Sequence, residues 1–133
     1  MTIQYSTTHR NNNVADLTTQ AGSTAYLLIY TGAAPANCGS AATGTLLASL
    51  PLSSPIAPAP SNGVLTLSAV TSAAAAASGT AGYWRICTSS AGTTCVAQGS
   101  VGTSGADLNF PSTSFTAGET ISVSSMTITA NGA

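Results

Sequence analysis

The chain has 133 residues and a formal net charge of −1, and only 4% of its residues are charged, against roughly a quarter in an ordinary soluble domain. Two arginines and no lysine cannot neutralise the several phosphates that duplex binding requires, nor form a polybasic membrane anchor. One histidine and three carboxylates leave few combinations for acid–base catalysis.

In chain order, residues 1–8 are polar and β-capable and read as an arm. Residues 9–20 carry a weakly helical pattern, with Val14 and Leu17 three apart, Asn13 as a candidate cap and Gly22 as the stop. Residues 1–22 are therefore an arm with a short helical segment, and 23–133 a single β domain. Thr24 to Tyr30 is apolar on both faces and suits a central strand. A loop follows through Gly39, and then a second strand from Thr45 to Leu52. Pro55, Pro58 and Pro60 cannot donate to a ladder, so this segment runs extended along a surface or edge. Ser61-Asn62-Gly63 is a turn signal.

Val64 to Ala69 alternates, with Leu65, Leu67 and Ala69 on one face. Ala73 to Ala77 is too short for an independent helix and reads as a loop or loosely packed strand extension. Thr80 to Thr88 is the aromatic strand, with Trp84 and Ile86 on one face and Tyr83, Arg85 and Cys87 on the other. A turn at Ser89–Gly92 returns the chain as a hairpin, Thr93 to Val101, which sets Cys87 opposite Cys95. Asp107 to Phe110 is a short strand and Thr113 to Gly118 a turn. Thr120 to Ala130 is the last strand. Its apolar phase slips between Val123 and Met126, which predicts a β-bulge near Ser124-Ser125. About seven strands with turn signals between them predict an antiparallel β-sandwich or jelly roll.

Candidate chemistry is sparse. Cys38, Cys87 and Cys95 have no zinc spacing, and an odd count does not close a disulfide framework. Cys87 and Cys95 are expected to be reduced small hydrophobes. His9 and Asp16 are too far apart on a helix to touch; Asp107 reads as a turn residue, and Glu119 follows Gly118 at the mouth of the last strand. No nucleophile elbow, phosphate loop or calcium cluster occurs. Trp84 is expected in the core with Ile86, in preference to a ligand platform. Arg85 has two readings. It is an interface anchor or a partner for Asp107, or else it lies on the solvent face with its stem over Tyr83. No catalytic residue, metal or cofactor is expected. No run approaches the roughly 20 apolar residues of a membrane span. The opening residues lack the basic and apolar regions of an export signal.

A set of strings runs through nearly the whole chain: Arg10-Asn11 before the helical segment; Leu27 to Pro35; Thr43 to Ala48; Asn62 to Thr66; Gly79 to Ile86; Gly99 to Asn109; and Gly118 before the last strand. Together these resemble the head decoration, or cement, proteins of tailed bacteriophages. The resemblance implies an all-β jelly-roll sandwich on the outer surface of the virion capsid, made in the host cytoplasm. It implies a structural protein that bridges subunits of the major capsid protein, with no enzymatic activity, and that binds neither nucleic acid nor membrane. A homo-oligomer is expected, a dimer before a trimer. The candidate capsid or subunit contacts are Thr2, Ile3, Gln4 and Tyr5 in the arm, Pro55, Pro58 and Pro60 in the extended segment, and Arg85. The second reading is a phage tail or receptor-binding component. An adhesin-like subunit and an enzyme rank behind it.

Overall fold

A computed structural model describes residues 3–132. Helix α1 spans Thr7–Ala21 and is longer than the pattern predicts. Its cap is Ser6, not Asn13. The Ser6 hydroxyl accepts from the His9 amide at 3.1 Å, satisfying a donor of the first turn. Gly22 ends the helix at φ 74°, a left-handed position that glycine occupies without a Cβ penalty, with its N–H on the Thr18 carbonyl. Only Val14 and Ala21 are fully buried along it, so its apolar stripe is thin, and sequence periodicity understates its length.

Ten short strands follow: β1 Tyr26–Thr31, β2 Leu46–Pro51, β3 Val64–Thr66, β4 Ala73–Ala74, β5 Gly79–Cys87, β6 Cys95–Gly102, β7 Leu108–Asn109, β8 Ser114–Phe115, β9 Thr120–Ile121 and β10 Thr127–Thr129. The protein is thus β-rich with an N-terminal helix. The main sheet has the order β2-β1-β5-β6-β7, with β8 on the first residues of β5. It curls, and it is mixed where an antiparallel arrangement was expected. Thr103 to Asp107 loops back, and the Asp107 carboxylate accepts from the Ser100 amide at 2.9 Å. The chain therefore restarts beside β6 in the same direction, pairing Val101 with Leu108.

Two ribbons, β3–β10 and β4–β9, complete the β structure. The Ala76 amide bonds the Leu47 carbonyl and the Thr71 amide bonds the Pro51 carbonyl, so the segment around β4 lines the outer edge of β2. The predicted last strand is therefore two pieces with different partners. Ile121 and Met126 are both buried, and the chain reconciles their opposite phase by breaking the strand at Ser124-Ser125 instead of bulging. Thr113 to Gly118, expected as a turn, contributes β8. In the 64–69 segment Leu65 and Leu67 are buried as predicted, but Ala69 is exposed.

The main core lies on one face of the sheet. Leu27, Ile29, Trp84 and Ile86 point into it, and Val14, Ile56, Leu65, Phe110, Phe115, Ile121 and Met126 close it from the helix, the ribbons and the loops. The β5 strand has buried residues at every position from Tyr83 to Cys87. Where β1 meets β5 the register slips, because Tyr30 pairs with Tyr83 and Thr31 with Ala81. Gly82 is the extra residue of this bulge. A Cβ there would collide with the Gly32 backbone, so the crossing of these two chains requires glycine. Gly82→Ala should destabilise the protein by about 2–3 kcal/mol through overpacking, read as a lower denaturant midpoint with an unchanged slope.

Candidate interaction surface and a buried arginine

The second face of the sheet is also covered. Leu28, Tyr30, Tyr83 and Cys87 form a separate buried cluster there, with Tyr26, Leu46 and Cys95 packed against it. Tyr30 and Tyr83, paired across β1 and β5, stack with ring centroids 5.1 Å apart. Among the described residues no helix or sheet lies over this face. The connection between β1 and β2 covers it instead, aided by the β5–β6 turn, where a Cβ on Gly92 would sit 3.0 Å from Leu28.

Arg85 stands at the centre, 2% exposed. Strand alternation puts it between Tyr83 and Cys87, and the register puts it opposite Gln98. Its Nε donates to Gln98 Oε1 at 3.1 Å, and its Nη2 donates to the carbonyls of Ser40 at 2.8 Å and Asn37 at 3.4 Å. Gln98 Nε2 in turn donates to the Pro35 carbonyl at 2.9 Å. The Tyr83 hydroxyl donates to the Thr43 carbonyl at 2.6 Å, and the Thr43 amide donates back to Tyr83 Oη at 2.9 Å. Strands β5 and β6 thus fasten the covering loop at Pro35, Asn37, Ser40 and Thr43.

Two of the readings of Arg85 from sequence are overturned. It is not on the solvent face, and its partner is not Asp107, whose carboxylate is held by Ser100. The loop reads from sequence as a plain connection, so nothing in the pattern marks the strand face beneath it as covered. Gln98 and the loop carbonyls were not singled out. The signal that could have found them is the pairing of Arg85 with Gln98, two long polar side chains on the apolar hairpin.

The cysteines also correct an expectation. Cys87 and Cys95 are register partners, as the hairpin predicted. Yet Cys95 is not reduced: it is bridged to Cys38 in the covering loop, with Cα atoms 5.5 Å apart. The β5–β6 register shifts after Ile86, so Val96 is skipped and Cys95 falls on the loop-covered face. The bridge ties residues 57 apart in sequence and closes the loop over Arg85. Cys87 is the free, buried thiol. Burial pushes its pKa up, and the Arg85 cation acts in the opposite direction. Burial also raises the Tyr30 hydroxyl, assisted by Cys87 and Tyr83.

The predicted arm lies only partly free. Thr2 is outside the described residues. Ile3 is 69% exposed and Tyr5 47%, and these are the exposed large hydrophobics among the described residues; Gln4 is exposed too. The Tyr5 amide, however, bonds the Gly132 carbonyl at 2.6 Å, and Thr7 and Thr8 are already helical. The arm is therefore pinned from Tyr5 onward by the C-terminal segment and the helix cap.

The proline segment is anchored in its middle, since Ile56 and Ala57 are buried and the Ile56 carbonyl accepts from the Ser68 amide. Pro55 and Pro58 remain exposed and Pro60 half-buried. Arg10 Nη1 donates to the Asn62 carbonyl at 3.0 Å, and Asn11 Oδ1 accepts from the Gly63 amide at 2.7 Å. The start of α1 is thus docked on the turn that follows Pro60, which brings the arm and the end of the proline segment to one side of the molecule.

Trp84 is in the core beside Ile86, as expected. His9 packs on the Tyr5 ring, Asp16 accepts from Gln20, and Glu119 accepts from the Thr116 amide. These groups are dispersed, and among the described residues no three His, Cys, Asp or Glu side chains gather as a metal site would require.

Non-reducing peptide mapping should recover Cys38 linked to Cys95. Cys87 should resist alkylation at neutral pH until denaturant is added. A Cys87–Cys95 peptide in the native protein would contradict this arrangement.

Searches of protein-family models, curated proteins and solved structures with this chain return no match.

Proposed function

We propose that this protein is a structural subunit of a tailed-phage virion that binds the outer surface of the head and bridges major capsid subunits, stabilising the shell. In this reading the curled sheet and its facing ribbons are a jelly-roll sandwich, and the subunit acts as a homo-oligomer, a dimer before a trimer. The observation that carries the proposal is the exposed apolar strip at Ile3 and Tyr5, joined through Arg10 and Asn62 to the proline segment on an almost uncharged β body. An extended terminal strip can add to a neighbouring sheet edge, where main-chain hydrogen bonds supply affinity. Prolines leave the adjacent segment unable to complete a ladder of its own. Repetition of such modest contacts over a symmetric shell gives avidity without a single strong site.

Peptide mass spectrometry of purified particles is expected to find the protein in near-stoichiometric ratio to the major capsid protein. Ile3→Asp and Pro58→Glu replace exposed residues. Each should lower occupancy on heads at least severalfold while leaving the melting temperature unchanged. Full occupancy of both variants would overturn the contact assignment. A ratio of a few copies per particle would move the protein to the tail.

A further inference from the structure

We infer that the groove above Arg85 is a binding site for a single carboxylate, presented by an acidic side chain of a partner protein. The groove has a volume of about 460 Å³ and is walled by Tyr30, Arg85, the loop residues Gly39 to Ala42 and the turn residues Gly92 and Thr93. It lies at the seam between the disulfide-bonded loop and the β5–β6 turn.

Three observations converge on this site. First, every hydrogen-bond acceptor of Arg85 is neutral: one amide oxygen and two carbonyls. A guanidinium so deeply buried is costly without a counter-charge. The side-chain carboxylates of this chain are engaged elsewhere, Asp16 with Gln20, Asp107 with Ser100 and Glu119 with Thr116, so none of them supplies that charge.

Second, two donors are free at the same groove. Arg85 lines the groove, and its Nη1 donates to no protein atom among the described residues. The Tyr30 hydroxyl likewise donates to none. It is at the wall, 3.1 Å from where a Cβ on Gly92 would stand. A tyrosine hydroxyl is protonated at neutral pH and able to donate. Arg85 is 2% and Tyr30 8% exposed, so both donors are held rigidly by packing.

Third, the site carries one positive charge, and its other walls are small and neutral. A phosphate monoester, with nearly two charges, would find no second cation, whereas a carboxylate matches one guanidinium and one hydroxyl. Gly39, Ala41, Ala42 and Gly92 leave room for the methylene stem of an aspartate or glutamate.

The inference does not rest on the virion reading, because the site is tested on the isolated protein. The probes are N-acetyl-glutamate amide, whose only carboxylate is on the side chain, its glutamine analogue, and sodium acetate, all at constant ionic strength. Nuclear magnetic resonance follows the Arg85 Nε–H and the amides of Gly39 to Ala42, Gly92 and Thr93. The glutamate compound should give saturable shifts confined to these signals, and the glutamine analogue none. Tyr30→Phe should weaken binding roughly five- to tenfold by removing one donor to a charged acceptor. Ala42→Trp, which fills the groove from an exposed loop position, should abolish the shifts while the remaining spectrum shows the fold intact. Equal shifts with the glutamine analogue, or unchanged binding in Ala42→Trp, would overturn the site. Binding of acetate but not of the glutamate compound would overturn the partner side chain as its occupant and leave a free small acid in its place.

Discussion

Strand β5 is buried on both faces, and the rest of the structure is arranged around that constraint. A strand whose side chains alternate between two covered faces needs two layers of cover. This chain has one good layer, the helix and the two ribbons that close over Leu27, Ile29, Trp84 and Ile86. For the other face it uses a loop. A loop brings few apolar side chains, so side chains of the sheet hold it instead. Arg85, Tyr83 and Gln98 reach up to its carbonyls, and the Cys38–Cys95 bridge ties it down. Arginine suits this place because its planar fork can serve carbonyls in two directions while its stem packs among Leu28, Tyr30 and Tyr83.

The same economy accounts for the surface. A chain with this little charge cannot rely on ionic networks, and surface ion pairs contribute little in any case. Rigidity comes instead from backbone pairing, from Ser6 and Gly22 at the two ends of α1, and from short polar crosslinks such as Asp107 with Ser100. The helix is nearly polar all round, so its position is set by Arg10 and Asn11 on the 61–63 turn as much as by Val14. That docking places the start of the helix on the turn that follows the proline segment, and so defines the side of the molecule that the virion reading uses.

Much of the β framework was legible in the sequence. The strands at 26–31, 46–51, 79–87 and 95–102 follow from apolar runs and turn residues, and the alternation of Trp84 and Ile86 against Tyr83, Arg85 and Cys87 was read correctly. The failures have physical causes. Thr120 to Ala130 read as one bulged strand because both halves have β-type composition, and only their separate partners, β4 and β3, reveal the break. Two of the readings of Arg85, as solvent-facing and as a partner for Asp107, fail because a charge inside an apolar strand is ordinarily satisfied by water or by a carboxylate. That its Nη2 is bonded to carbonyls of a loop 45 and 48 residues away in sequence is a tertiary fact with no local signal. The bridge from Cys95 depends on a one-residue bulge at Val96, which changes the face of every residue beyond it.

Native-state hydrogen exchange tests the fastened loop most directly. The Thr43 amide, held by the Tyr83 hydroxyl, should exchange only through the global unfolding that releases the amides of Leu28 and Arg85, with the same dependence on denaturant. Rapid exchange of Thr43 while β1 and β5 stay protected would show a loop that opens independently, and the second covered face of the sheet would not be part of the core.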